Sequence, residues 1–345
     1  MDTASLSIKV SVIIPVYNAA DFIQETIQSV LDQQLKPIEI ILVDDGSTDN
    51  SAELCKAYTS GNENVYYYHQ ENAGVSVARN KGLLMAQGAY VYFLDSDDSI
   101  DASFLSSSYE QLSHNQEDLV IIGEAYTKRF PQVMALPTCA AMWRKEFLQQ
   151  HGGIQFPEGI QPCEDGLFSH QLLAMTNKIA LNSAGIYHYR QHEKQNHIRS
   201  LVEVDSVLAQ IPIWFDILRN FYNKHKLMPK KALHLALFLE HEPFEFRLLK
   251  MQLTLAQQES LTQLIKKFYQ EQVQPYLTKE DFNRLSKPFQ LFVQSSNFEN
   301  FQKYYLQYLN GLRTRGKVYM LLARLIMLPK KRRKFRKQII EKYKL

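Results

Sequence analysis

Four times within the first hundred residues, a short β-branched apolar run gives way to a segment of helical period. Three of the runs stop in polar clusters. Val10–Pro15 is predicted as a buried parallel strand. From Asp21 to about Leu35, Phe22, Ile23, Ile27, Val30 and Leu31 recur at helical spacing. Ile38–Val43 is a second buried strand ending in Asp44-Asp45-Gly46-Ser47, where Ser47 or Asp49 is placed to cap the next helix. Val65–His69 is a third strand, 75–87 a helix closed by Gly88, and Tyr90–Leu94 a fourth strand ending in Asp95-Ser96-Asp97-Asp98. This alternation predicts an α/β, doubly wound, mostly parallel sheet. In such sheets ligands bind beyond the carboxyl ends of the strands, so the three polar clusters are expected to converge in space.

Further along, 102–115 is predicted helical, Leu119–Gly123 a strand and 139–150 a helix broken by Gly152-Gly153. Glu164-Asp165 opens another apolar helix, and Ile186–Tyr189 is a late strand. Past about residue 200 the pattern is helical only. A boundary is therefore expected there, dividing 1–200 from 201–345.

With 345 residues and 45% apolar content, the chain can bury one large domain and a smaller one. The net charge of +3 hides an asymmetry: nine Lys/Arg lie in 330–345, leaving 30 bases against 35 acids in residues 1–329. That argues for a local anionic partner and against a nucleic-acid groove across the fold. Cys55, Cys139 and Cys163 are too few and too widely spaced for a zinc site or a disulfide framework. The first ten residues lack the basic-then-apolar order of a signal peptide. No apolar run reaches the roughly 20 residues of a membrane span. A cytoplasmic, reduced protein is expected.

Carboxylates two apart at a strand end, as in Asp95-Ser96-Asp97-Asp98, suit a hard cation such as Mg²⁺ or Mn²⁺ whose shell is completed by phosphate. They equally suit a turn and helix cap. The apolar strand in front favours the first reading. Asp44 and Asp45 repel and need solvent or donors, which a nucleoside's hydroxyls and base N–H groups supply; a capped turn is the alternative. Arg79 is a base that offsets acids or meets diphosphate, or it simply lies on a solvated helix face. Glu164-Asp165 begins a helix, where a carboxylate is favoured as its anion, or is an ordinary acidic first turn.

Together, Val12-Ile-Ile-Pro-Val-Tyr-Asn18, Val43-Asp-Asp-Gly-Ser-Thr-Asp49, Asn72–Asn80 with Ala-Arg-Asn, Phe93-Leu-Asp-Ser-Asp-Asp98 and Glu164-Asp-Gly-Leu-Phe168 resemble the ordered motifs of the family-2 inverting glycosyltransferases of GT-A fold. The resemblance covers about residues 8–195. It implies that Pro15, Tyr17 and Asp45 surround the base with Asp44 close by, and that Arg79 lies near the nucleoside or diphosphate. Asn72 and Ser96 join the donor-binding set. Asp95 and Asp97 become the Asp-x-Asp pair for Mn²⁺ or Mg²⁺, with Asp97 preferred as the direct ligand. Asp165 becomes the general base, with Glu164 as second choice. The implied reaction is a single inverting displacement from a nucleotide-sugar, UDP-sugar by default, to a hydroxyl of a glycan or lipid-linked acceptor in surface-polysaccharide synthesis. Tyr187-His188-Tyr189-Arg190 resembles the family's tail, where His188 or His192 either completes the metal shell, meets phosphate, or is simply structural. Cys163 is read as a packing residue.

Val318–Leu328 is apolar apart from Arg324, and seven of the eight residues Lys330–Lys337 are Lys or Arg. This fits an interfacial helix with a polybasic stretch on an anionic membrane surface, placing the protein peripherally at the inner face of the cell membrane. Docking on the protein, a solvated tail and nucleic acid are the alternatives, and no nucleic acid is expected. Two other functions compete. A nucleotidyltransferase would want a Gly-rich basic loop after the first strand. A catalytically inactive nucleotide-binding scaffold would bind without transfer.

Overall fold

The computed structural model describes residues 7–113, 116–191, 203–323 and 329–343. The chain divides into two compact units, Met1–Phe238 and Leu239–Leu345.

The first unit is built on a seven-stranded sheet. Its strands are β1 (Val10–Val16), β2 (Ile38–Asp45), β3 (Val65–Gln70), β4 (Tyr90–Phe93), β6 (Leu119–Ile122), β7 (Ala141–Arg144) and β8 (Ile179–Asn182). Their order in space is β3-β2-β1-β4-β7-β6-β8. β1 pairs in parallel with β2 (Val10 opposite Ile38) and with β4 (Val10 opposite Tyr90). Every residue of β1, β2 and β4 is buried, because helices cover both faces of a parallel sheet. The mostly parallel α/β architecture expected from the sequence is the one found.

The covering helices include α1 (Ile23–Leu31), α2 (Ser51–Thr59), α3 (Val75–Met85), α4 (Phe104–Ser113), α5 (Glu124–Thr127), α6 (Lys145–Gln150) and α7 (Glu164–Met175). α3 lies very close to the sheet: a Cβ on Gly82 would stand 2.3 Å from Ile13 Cγ2. Only glycine allows that approach.

The structure corrects three local expectations. The stretch 139–150 is not one helix. It begins at the end of a 3-10 turn (Thr138–Ala140), continues as strand β7, which inserts antiparallel between β4 and β6 (Tyr92 opposite Met142, Val120 opposite Met142), and is α-helical only over Lys145–Gln150. The apolar side chains of this segment are claimed by a gap in the sheet, and tertiary pairing overrides the helical spacing. Ile179–Asn182 is a strand the sequence did not announce. The late strand shrinks to β9 (Tyr187–His188), which pairs antiparallel with β5 (Ser99–Ile100) apart from the main sheet.

The second unit is helical. Phe244, Phe289, Phe292 and Phe301 form its aromatic centre, with ring centroids 4.7–5.9 Å apart. The helix Leu255–Gln272 begins with a capping box of Thr254 and Gln257. No helix among the described residues is long and apolar enough to cross a membrane.

Candidate active site

The polar clusters sit where the strands of the sheet's parallel half end. β2 carries Asp44 and Asp45 inside its last turn of pleat, both buried. Asp44 Oδ2 accepts from the Tyr67 hydroxyl at 2.8 Å and lies 2.9 Å from His69 Nδ1; its Oδ1 accepts from the Ser47 N–H at 3.0 Å. Burial works against the Asp44 charge, but these hydrogen bonds outweigh it and hold the carboxyl below its usual range. Asp45 is likewise engaged. Its oxygens accept from Gln70 Nε2 (2.7 Å) and from the backbone N–H groups of Ala73 and Gly74 (2.9 Å each). Asn72 is exposed and donates through Nδ2 to the Asp45 carbonyl at 3.0 Å. Asp45 therefore fixes the loop that leads into α3, while Asp44 ties the end of β2 to β3.

Pro15 is buried inside β1, opposite Val43. Tyr17, just past the strand, is 51% exposed. Asn18 adopts φ 50° and accepts through Oδ1 from the N–H groups of Thr48 and Asp49, tying the β1 and β2 ends together. The expected caps of α2 are rearranged: the cap residue, Asn50, makes no side-chain cap bond, while Asp49 accepts from the Ser51 and Ala20 N–H groups.

Arg79 is the pivot. It rises from α3, is 6% exposed, and ion-pairs with Asp95 (Nη2–Oδ1 2.9 Å) and Glu164 (Nη1–Oε1 3.1 Å). Its guanidinium lies over the Phe156 ring at 5.3 Å. Burial disfavours its charge, but Asp95, Glu164 and Asp165 outweigh that and raise its pKa. Neighbouring Asn80 grips the backbone of Phe156 at both N–H (3.0 Å) and carbonyl (2.9 Å). Phe156 stacks on Phe168 of α7 at 3.9 Å. One turn of α3 thus connects the end of β4 to the start of α7.

That start is sharply set. Cys163, buried with φ 86°, turns the chain, and Glu164 and Asp165 form the first turn of α7. Glu164 is held by Arg79, and Asp165 Oδ1 accepts from the Gly166 N–H at 2.7 Å. Asp165 lines a small internal gap, with no room for a water molecule, together with Phe93, Thr138, Trp143 and Phe168. The acid motif after β4 and the acid pair of α7, separated by some seventy residues in sequence, are brought together here.

In the β4 motif, Asp95 keeps 36% of its side chain exposed despite its ion pair. Ser96 offers its carbonyl to Thr26 Oγ1 at 3.0 Å. Asp98 is buried and accepts from the Tyr187 hydroxyl (2.5 Å) and the Arg190 N–H (2.7 Å). Burial pushes its pKa up to about 6 against those hydrogen bonds, with Asp97 and Asp95 adding to the rise. Arg190 also donates through Nε to the Asp97 carbonyl (3.0 Å) and through Nη2 to Glu25 (2.5 Å). Sequence reasoning noted Tyr187 and Arg190 only as part of a family-like tail, and their partners lie about ninety residues or more away. His188 Nε2 is 2.6 Å from Asp101 Oδ1, so that imidazole is occupied by a carboxylate outside the cluster. His192 lies outside the described residues. Among these, no group of three or more His, Cys, Asp or Glu side chains is gathered as a metal cage; the donor set is the pair Asp95 and Asp97.

Comparison with known proteins agrees with this geometry. The chain is 42% identical over a third of its length to glycosyltransferase GlyA of Streptococcus pneumoniae, of which that match covers 16%. It is 31% identical to EpsJ of Bacillus subtilis, described as an uncharacterized glycosyltransferase, over 53% of this chain and 61% of that one. It is 29% identical to the minor teichoic acid biosynthesis protein GgaB of the same organism over 56% of this chain and 24% of that one. The chain thus spans less than two thirds of the length of each of these relatives. In fold it is similar to Staphylococcus aureus TarS solved in complex with UDP-GlcNAc, with a TM-score of 0.69 at 21% identity, covering 88% of this chain and 92% of that one. Residues 11–169 match the model of glycosyl transferase family 2, and this matched stretch carries the strand-end motifs and the start of α7 described above.

Proposed function

We propose that the chain is a glycosyltransferase that moves a sugar from a nucleoside-diphosphate donor, a UDP-sugar, to a hydroxyl of a glycan or lipid-linked acceptor with inversion. The observation that carries this reading is the double ion pair of Arg79, which holds the acids after β4 and the acids of α7 within one side chain of each other. A donor site and a proton acceptor must lie that close for a single displacement.

Asp95 and Asp97 offer the oxygen ligands a hard divalent cation takes, and the exposure of Asp95 leaves it open to one, so the pair fits Mn²⁺ or Mg²⁺. When bound, such an ion neutralises charge on the departing diphosphate. The residues of the chain do the rest. Tyr17 presents an exposed ring beyond β1 to the base, with Pro15 behind it. Asp44, Asp45 and Asn72 shape the nucleoside side, and Ser96 the loop over the diphosphate. Asp165, at a helix N-terminus that favours anions, takes the proton of the acceptor hydroxyl. Glu164 is committed to Arg79 and positions the helix start. Attack opposite the leaving group inverts the anomeric carbon, as in inverting glycosidases.

The names of the relatives support a place in cell-surface polysaccharide synthesis, with the enzyme peripheral at the inner face of the cell membrane. The test is a thermal-shift panel of UDP-, GDP-, CMP- and dTDP-sugars, each with and without Mn²⁺. A ligand that binds only the folded state raises apparent stability. A Mn²⁺-dependent rise with UDP-sugars, absent in Asp97→Asn, is the expected result. No rise with any nucleotide in folded protein removes the donor site.

A further inference from the structure

The charge of this chain is concentrated at one end. Thirteen of its 39 Lys/Arg fall in residues 311–345, against one of its 36 acids, Glu341. In the second unit this segment forms two packed helices, Phe298–Leu322 and Pro329–Tyr343, with Tyr319 stacked on Tyr343 at 5.3 Å. Gly316, Ala323 and Ile339 are buried. On the first helix, Val318, Leu321 and Leu322 are 49–57% exposed and, at spacing i, i+3, i+4, share one side. On the second, Lys330, Arg333, Lys334 and Lys337 are all exposed and follow i, i+3, i+4, i+7, so four cations form one stripe. Ile340, one turn beyond Lys337, is also exposed.

We propose that this helix pair is a docking surface for an anionic lipid bilayer, with the cation stripe on the headgroups and Val318, Leu321 and Leu322 entering the interface. A solvated basic tail does not require an exposed aliphatic stripe, and one fully buried against protein would not leave it exposed. Stable peripheral binding takes two signals, and the pair supplies both a polybasic stripe and apolar side chains. The remainder of the chain carries more acids than bases, so lipid phosphate attracts this end and repels the rest. The surface is independent of the transfer reaction, so its failure would leave the donor site untouched.

The test is sedimentation of the full chain with phosphatidylcholine vesicles, alone and with about one third phosphatidylglycerol, at about 0.15 M and about 1 M salt, where the screening length falls from about 8 to about 3 Å. Binding only to the anionic vesicles, weakened by salt, is expected. The Lys330→Gln/Arg333→Gln/Lys334→Gln/Lys337→Gln variant should lose at least about tenfold in partitioning, given the pull of each surface cation. Leu321→Ser/Leu322→Ser should lose the fraction that survives high salt. Both variants should keep the parent's circular dichroism and nucleotide-induced thermal shift. Equal binding to neutral vesicles, no binding to either, or preference for single-stranded RNA over anionic vesicles would overturn the proposal.

Discussion

Replacing Arg79 by Met should test the connection between the two acid pairs most directly. The substitution keeps the length of the side chain but deletes both ion pairs. Removing one partner of a buried pair costs about 3–5 kcal/mol, because the other charge is left without compensation. Here that cost falls mainly on Glu164, whose side chain is 11% exposed; Asp95, at 36%, can recover water. Arg79 Nε is itself buried without a partner among the described residues, so the native arrangement is not ideal. A net loss of about 2–3 kcal/mol follows. For a unit of this size, each kcal/mol shifts the melting temperature by about 2–4 °C, so Tm should fall by about 5–10 °C. Adding Glu164→Gln removes the stranded charge and should restore about 1 kcal/mol of it, a coupling readable in a double-mutant cycle by thermal or urea melts. Melting within about 1 °C of the parent for Arg79→Met, with no coupling to Glu164→Gln, would refute the argument.

Asp165→Asn should lower kcat by at least about a hundredfold, the low end of what a general base contributes, while leaving the nucleotide-induced thermal shift intact; full activity would remove Asp165 from the reaction. Gly82→Ala drives a Cβ to 2.3 Å from Ile13 Cγ2 and should cost about 1–3 kcal/mol by overpacking, visible as a lower Tm. The stacked pair of buried His170 and half-buried His234, 4.2 Å apart, is held below the ordinary histidine value of 6.5, His234 at about 4, chiefly by desolvation. A folded pKa below the unfolded one stabilises above the unfolded value and is lost as pH falls, so Tm should drop between about pH 6.5 and 4. His234→Gln should flatten that drop, and an unchanged slope would show that the pair does not govern acid stability.

β1, β2 and β4 were legible because residues buried on both faces leave nearly continuous apolar runs, and the polar residues that follow stand out against them; half-buried β3 was legible from its β-branched and aromatic Val65–Tyr68. β7 was not legible. Thr138–Gln150 mixes small, aromatic and charged residues, and its helical spacing continues into a segment the sheet then uses as a strand. The acids of the candidate site were visible for the same reason as the strands: they break the apolar runs. Their partners were not. Nothing local announces that Tyr67 and His69 close on Asp44, that Asn80 grips Phe156, or that Tyr187 reaches Asp98. Arg79 showed a base near the acids, but only the fold shows it buried between two of them.

The antiparallel insertion of β7 also bears on the order of assembly during synthesis. β1 to β4 are complete by Phe93 and lie side by side in the order β3-β2-β1-β4, so this half can zip up before the rest of the sheet has emerged. β6 cannot join it, because its place beside β4 is held for a strand twenty residues downstream that has not yet emerged. At typical elongation rates, β4 waits on the order of a few seconds with one side unpaired. During that interval its apolar, hydrogen-bond-hungry edge is the part of the nascent chain most open to a wrong neighbour.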